Sequence, residues 1–227
     1  MSLMPFVVAL EPNDLTALNE VVKQRRKAEL EWLESARRLH GTRLLRGKAL
    51  SQARAEIRKD FRRLRDLGKL SGTRDLVLAH QVRAELKRRE MEQEYAPIPA
   101  EDAAAPGRRV GTGPRHYDRF GDEKTQLTGR MYVKLPGALG EQLTRGCYWT
   151  SAPAVTALWE WQGLWGDGPE VIFREAERRG AVTILDVWSA AMSPRPTADT
   201  ILRKAELQDQ IITTGDIIRA AVKRAIR

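Results

Sequence analysis

Apolar residues in the first 95 positions recur every three or four residues, a spacing typical of amphipathic helices. The pattern predicts a first helix from Asn13 or Asp14, either of which can cap it, to about His40. A second helix ends at Gly68, and a third covers about 74–95. Short connections between three helices favour an antiparallel bundle or a long helical hairpin.

A segment rich in proline and glycine follows at 96–115, where four prolines and three glycines exclude a long helix or a central strand. We therefore predict a basic helical region at 1–95, a linker and irregular segment at 96–128, and a C-terminal domain at 129–227. In that domain the spacing predicts helices near 170–179, 198–211 and 216–226, and 181–192 is ambiguous between helix and strand. The expected fold class is mainly α.

The segment from Arg130 to Leu135 alternates strictly between polar and apolar residues, and Pro136 ends it. Its apolar members are Met131, Val133 and Leu135, and its polar members are Arg130, Tyr132 and Lys134. Such alternation predicts a short strand with one face in a core and the other exposed. Two helical segments are expected next, one carrying Leu139 and Leu143 and one starting near Ser151.

This strand, its Leu-Pro end and the two helical segments resemble the ribbon-helix-helix family of bacterial DNA-binding proteins, over residues 130–165. In that family two chains pair their strands into an antiparallel ribbon, which fits the major groove of DNA. The resemblance implies a homodimer in which Arg130, Tyr132 and Lys134 face the bases. It also implies that the first amides of the second helix bind a phosphate.

Other features of the segment depart from the family. Gly137, Gly140 and Gly146 each weaken the first helix by up to ~1 kcal/mol relative to Ala, and Pro153 falls near the start of the second. An ordinary amphipathic strand packed in an α+β domain would show the same alternation. Pairing of this strand within its own chain would remove most of the case for the family.

The chain is strongly basic, with a formal net charge of +9 and a pI of about 10.0, which favours a polyanionic partner. Residues 1–95 carry 21 basic and 14 acidic residues, so most of the excess lies there. One face of the second helix carries four arginines at spacings of three and four: Arg54, Arg58, Arg62 and Arg65. Such a row is suited to phosphate contacts. It is equally the pattern of a solvated face balanced by neighbouring acids.

Two further features have both a binding and a structural interpretation. The basic pair Arg108 and Arg109, in the linker, is either an arm for a DNA minor groove or plain linker. The tryptophans after position 145 either stack on unpaired bases or belong to a core or interface.

Residues typical of catalysis or metal binding are sparse. The three histidines are isolated, Cys147 is the only cysteine and lies in an apolar row, and no phosphate-binding glycine loop is present. We therefore expect no enzyme activity, metal or cofactor. No apolar run approaches the ~20 residues of a membrane span, so we expect a cytoplasmic, bacterial protein without a membrane partner.

Together these patterns predict a dimeric protein of a bacterium, plasmid or phage that binds duplex DNA as a regulator or accessory factor. The strand would read bases and the N-terminal helices would hold phosphates or a partner. Two alternatives stay open. One is a helical structural or assembly protein of phage or conjugation machinery, and the other is a protein that binds RNA or single-stranded nucleic acid.

Overall fold

The computed structural model describes residues 2–100, 102, 127–165, 176, 179–192 and 197–227. These residues form seven helices and one two-stranded antiparallel sheet, which confirms the mainly-α class. The strands are β1 (Leu3–Leu10) and β2 (Gly129–Pro136). The helices are α1 (Pro12–Leu39), α2 (Gly47–Asp66), α3 (Arg74–Arg88), α4 (Gly137–Trp165), α5 (Ile184–Met192), α6 (Ala198–Gln210) and α7 (Thr214–Ala225).

The chain divides into two compact units that do not follow chain order. Unit 1 combines Met1–Tyr95 with Lys124–Gly146 and Thr214–Arg227. Unit 2 contains Ala96–Glu123 and Cys147–Thr213. Strand β2, the start of α4 and the last helix therefore belong to the same unit as the N-terminal helices.

The prediction that residues 1–95 are helical throughout is wrong at the start, because Leu3–Leu10 forms a strand. Helix α1 then begins at Pro12, with Glu11 as its N-cap instead of Asn13 or Asp14. Proline suits the first turn of a helix because the N–H groups of that turn have no acceptor within the helix, so the N–H that proline lacks is not needed there. The N-terminal apolar run lacks a clear period, and its strand character depends on a partner far along the chain.

Strand β2 pairs with β1 of its own chain, and the register runs from Leu3 opposite Pro136 to Leu10 opposite Gly129. The predicted inner face is confirmed, since Met131, Val133 and Leu135 are at most 1% exposed. The strand that pairs with β2 in this structure is therefore β1 of the same chain and not the β2 of a second copy. The intrachain partner removes most of the case for the family resemblance.

The two helices expected after β2 form one continuous helix, α4, with Pro153 inside it. No helix starts at Ser151, so the phosphate-binding helix N-terminus expected there is absent from the described α4. The Ser151 hydroxyl instead accepts from the N–H of Ile212 at 2.8 Å and donates to its carbonyl at 3.1 Å. This side chain thus joins α4 to the segment that follows α6.

Two glycines of α4 lie where the helix packs closely against neighbouring side chains. A Cβ placed on Gly140 would lie 2.8 Å from the Cβ and sulfur of Met4, and one on Gly146 would lie 3.0 Å from the Met91 methyl. Close approach of the helix to β1 and to the chain after α3 therefore depends on the absence of side chains at these positions. The helix is weakened locally and packed more tightly.

Helices α3 and α7 form the core beneath the sheet of unit 1, with α3 against β2 and α7 against β1. Their inward side chains are fully or nearly fully buried: Val77, Leu78, Val82, Leu86, Ile217, Ile218, Ala221 and Val222. Helix α1 contributes Leu18 to this core, and it meets α2 where the rings of Trp32 and Phe61 lie 5.8 Å apart. Among the described residues of unit 1, the sheet is thus covered on one face, and its other face stays exposed.

Unit 2 has a small apolar core made by α4 and α6, which consists of Ala154, Leu158, Leu207 and Ile211. The segment 181–192, ambiguous from sequence, contains helix α5. Asp186 accepts from the hydroxyl and N–H of Thr183 at 2.6 and 2.8 Å, while its own N–H donates to the Thr183 hydroxyl. This reciprocal pair defines the start of α5. The helix predicted at 170–179 lies largely outside the described residues.

Among the described residues, no helix combines the length and the apolar character that crossing a membrane requires.

Candidate nucleic-acid interface

The exposed face of the two-stranded ribbon carries the three residues predicted to read bases. Arg130, Tyr132 and Lys134 all point away from the core, and Tyr132 is 67% exposed. None of the three side chains forms a hydrogen bond or ion pair with a described residue. Their donors are therefore available to an external acceptor.

The partner strand supplies the other half of this face, which the sequence did not predict. Leu3, Pro5, Val7 and Ala9 alternate with the buried side of β1. In the register, Val7 lies opposite Tyr132, and Leu3 and Val7 are 58% and 61% exposed. The signal in the sequence was the alternation of Val8 and Leu10, which are buried, with their neighbours. This alternation covers only two buried residues and their neighbours, which is too short to identify a strand unless its partner β2 is known.

The hydrogen-bonding pattern of the ribbon accounts for a proline in β1. Gly137 N–H donates to the carbonyl of Ser2 at 2.9 Å, which places the ladder bonds at even-numbered residues of β1. Pro5 therefore occupies a position that needs no N–H. The outward residues form the non-hydrogen-bonded pairs, in which side chains on opposite strands lie closest.

Side chains from helices bond to both outer edges of the ribbon. The N–H of Lys134 donates to Asp75 Oδ1 of α3 at 3.1 Å, and Arg219 of α7 donates to the carbonyl of Ala9 at 3.3 Å. Strand edges attract further strands when their backbone groups are unpaired. These contacts and Pro5 make the edges poor sites for a third strand.

The eight outward positions contain two cations and no acid: Leu3, Pro5, Val7, Ala9, Arg130, Tyr132, Lys134 and Pro136. The Asp75 carboxylate at the edge offsets part of this charge. The outer face is therefore a narrow, weakly cationic ribbon with one aromatic and two large aliphatic side chains at its surface.

The second predicted set lies on α2 in unit 1. Arg54, Arg58 and Arg62 are exposed, and their side chains form no hydrogen bond or ion pair with any residue that the structure describes. The helix buries Ala53 and Ile57 on its inward side. An open surface depression of ≈ 600 Å³ runs along the helix, and its lining includes Arg58, Lys59, Arg62 and Arg63. Asp66 lines it as well, so these five charged side chains have a net charge of +3, which still suits phosphate groups.

Arg65 differs from the other three arginines of the row. Its guanidinium lies 5.1 Å from the centre of the Phe61 ring, and the side chain is half-buried. Its backbone carbonyl is 3.0 Å from Nε2 of His80 on α3. The residue thus packs against its own helix and is less available to a ligand than its neighbours.

The remaining candidates separate into those that the structure describes and those that it does not. Arg108 and Arg109 lie outside the described residues. Trp161 is 9% exposed and its indole donates to the carbonyl of Thr200 at 2.9 Å, with Lys204 over its ring. Trp149 donates to the carbonyl of Ala96 at 2.8 Å. These two rings serve the structure of unit 2, whereas Trp159 is exposed.

Side chains able to hold a metal ion are not clustered among the described residues of either surface. Within the described ranges, no group of three or more His, Cys, Asp or Glu side chains is arranged to hold a metal ion. Cys147 is buried, as its apolar row indicated. The ribbon and α2 offer donated hydrogen bonds, positive charge and apolar contact, beside the carboxylates of Asp75 and Asp66.

Comparison of the chain with protein-family models, with curated proteins and with solved structures finds no match.

Proposed function

We propose that this protein binds duplex DNA without catalysis by placing the exposed face of its β1–β2 ribbon in the major groove. The observation that carries the proposal is the ribbon itself, covered by helices on one face and presenting Arg130, Tyr132 and Lys134 on the other. A two-stranded ribbon fits the major groove of B-DNA by size. The proposal therefore rests on geometry and charge and does not require the family resemblance.

Arginine and lysine are the side chains that most often read guanine, through its O6 and N7 acceptors. Arg130 and Lys134 are spaced four residues apart on one face of a strand, about 13 Å at 3.3 Å per residue. Tyr132 lies between them and can donate to a base or a phosphate. The major groove of A-form RNA is too deep and narrow for such a reader, so the geometry favours DNA.

The exposed arginines of α2 would add sequence-independent affinity. Phosphate contacts release counterions from DNA, so each contact makes binding weaker as salt rises. The chain's excess of positive charge lies in residues 1–95, which include this helix. In this proposal the ribbon selects the sequence and α2 supports binding to any duplex, as in a regulator or accessory factor of a bacterium, plasmid or phage.

Because β1 supplies the partner strand, a homodimer is not required to build the ribbon. A second copy of the chain would instead bring a second ribbon, which could contact a second DNA site.

The test begins by selecting duplexes from a randomised pool with the full chain and measuring affinity for the recovered duplex. The variant Arg130→Ala/Tyr132→Ala/Lys134→Ala is expected to lose at least tenfold in affinity for it, since each good base contact contributes about 1–3 kcal/mol. Its affinity for unselected duplex should change much less. Unchanged preference for the selected duplex would overturn the proposal.

A matched control removes two cations elsewhere in unit 1. Arg83 and Lys87 are exposed and lie four residues apart on α3, and their side chains form no hydrogen bond or ion pair with a described residue. The variant Arg83→Ala/Lys87→Ala should keep the preference for the selected duplex. Thermal unfolding of both variants should match that of the unaltered protein, because all five side chains are exposed.

A second candidate function, a protein of a multi-subunit assembly, is favoured by α5. This helix exposes five large apolar side chains: Ile184, Leu185, Val187, Trp188 and Met192. Exposed apolar surface of this kind often marks a protein contact. Apolar association would persist as salt rises, whereas phosphate binding would weaken steeply, so salt dependence separates the two functions.

A further inference from the structure

We propose that β1 is the second reading strand, so that one chain carries a complete, asymmetric ribbon and binds one non-palindromic DNA site. This inference rests on the proposed function and adds to it the residues of β1, the stoichiometry and the chemistry of the site. It assigns Val7 and Leu3 to thymine methyl groups and leaves the guanine acceptors to Arg130 and Lys134.

The register pairs the outward residues of β1 with those of β2. Ala9 lies opposite Arg130, Val7 opposite Tyr132, and Pro5 opposite Lys134. All of these residues are on the face away from α3 and α7. They form non-hydrogen-bonded pairs, in which the side chains of the two strands lie closest. A groove that receives the β2 side chains therefore also receives those of β1.

The two outward rows of side chains differ in chemistry. The β1 row consists of Leu3, Pro5, Val7 and Ala9, which have no side-chain donor or acceptor. The β2 row carries a guanidinium, a phenol and an ammonium. The one apolar feature that the major groove presents is the 5-methyl group of thymine. Val7, more than half exposed, is therefore matched to thymine, as the β2 cations are to guanine.

The symmetry of a ribbon decides the symmetry of the DNA site that it reads. When two identical strands pair across a two-fold axis, they read the same bases on both halves of a site, and the site is palindromic. Here the strands differ at every outward pair, so the ribbon has no such axis. Helix side chains bond to its two outer edges, at Lys134 by Asp75 and at Ala9 by Arg219. The complete reading surface is thus present in one chain.

The experiment uses the full chain and the duplex recovered by selection, with each thymine replaced in turn by uracil to remove the methyl group. At one or more positions the replacement should lower affinity about fourfold, the effect of removing one buried methyl. The variant Val7→Ala should lower affinity for the thymine duplex by a similar factor. It should then be insensitive to uracil at that position, and the bound complex should contain one chain.

A control variant, Leu30→Ala, removes an equally exposed aliphatic side chain from α1 and should leave both affinity and the uracil effect unchanged. A palindromic selected site bound by two chains would overturn the inference. So would a Val7→Ala variant that keeps full affinity and full uracil sensitivity. In both cases a loss of preference in the Arg130, Tyr132 and Lys134 variant would leave the proposed function standing. If no duplex is selected at all, the proposed function fails and this inference fails with it.

Discussion

Glu85 of α3 and Arg224 of α7 form an ion pair across the core of unit 1, with Oε2 and Nη2 3.2 Å apart. The Glu85 side chain is 2% exposed and also accepts from Arg88 and Arg89, at 2.6 and 2.7 Å on Oε1. One carboxylate thus joins three cations: Arg88 at the end of α3, Arg89 just after it and Arg224 on α7. A buried carboxylate is stable only when its charge is matched in this way.

The hydrogen bonds from Arg88, and then those from Arg89, hold the pKa of Glu85 at about 2, against an ordinary value of 4.5, although burial opposes the shift. Because the folded pKa lies below the unfolded one, this carboxylate stabilises the fold fully above pH 4.5. The contribution is lost as pH falls from there towards 2. We predict that Glu85→Gln lowers the free energy of unfolding at pH 7 by about 1–3 kcal/mol and reduces the loss of stability between these pH values.

Urea unfolding across that pH range measures this. Glu141→Gln is the matched control, because Glu141 also pairs with an arginine, Arg145, at 3.1 Å but is exposed. Exposed pairs contribute about 0–1 kcal/mol, so its effect should be small. Equal effects from the two substitutions would show that the Glu85 cluster does not stabilise the core.

The contact between Gly140 and Met4 predicts opposite effects for the same substitution at two glycines of α4. Gly140→Ala should destabilise the protein by about 1–3 kcal/mol, since the added methyl meets Met4 at 2.8 Å. Gly163→Ala meets nothing within 4 Å and should stabilise the helix by up to ~1 kcal/mol. Thermal unfolding distinguishes them. Met4→Gly removes both the Cβ and the sulfur, so it should cost less stability in the Gly140→Ala background than by itself. Two glycine variants of equal stability would contradict the packing.

The bond from the Lys134 N–H to Asp75 predicts slow exchange of that amide. Asp75→Ala should speed hydrogen exchange at Lys134, because the N–H then faces water at the edge of the ribbon. Asp75→Asn keeps an acceptor oxygen and should retain most of the protection. Exchange measured residue by residue by NMR is the readout. Equal protection of Lys134 in all three proteins would mean that Asp75 does not bond to this edge.

The exposed arginines of α2 predict a change in salt dependence. Arg58→Ala/Arg62→Ala should weaken binding to selected and unselected duplexes alike and lower the slope of log affinity against log salt by about 0.9 for each phosphate that the variant no longer neutralises. Arg83→Ala/Lys87→Ala, which removes the same charge from α3, is the control. Titrations between about 50 and 200 mM salt give the slopes. A loss confined to the selected duplex would mean instead that α2 reads bases.

The sequence by itself determined the helices whose apolar residues repeat locally. Helices α1, α2, α6 and α7 lie within a few residues of their predicted positions, since a helix hydrogen-bonds only to itself. It also determined the two faces of β2, because alternation decides which side chains share a side whatever the partner. The outward placement of Arg130, Tyr132 and Lys134 follows from that alternation alone.

The tertiary structure decided which strand pairs with β2, and local periodicity cannot show this because ladder bonds join residues distant in the chain. Only the pairing identifies Leu3–Leu10 as a strand and places Val7 beside Tyr132. The tertiary structure likewise shows that α4 continues through Pro153 and that Glu85 is buried, although its residue type is rarely buried unless paired. The sequence thus specified which β2 side chains face outward. The fold supplied β1 as the second strand of the ribbon, and it placed α3 and α7 against the inner face, so that only the outer face is exposed.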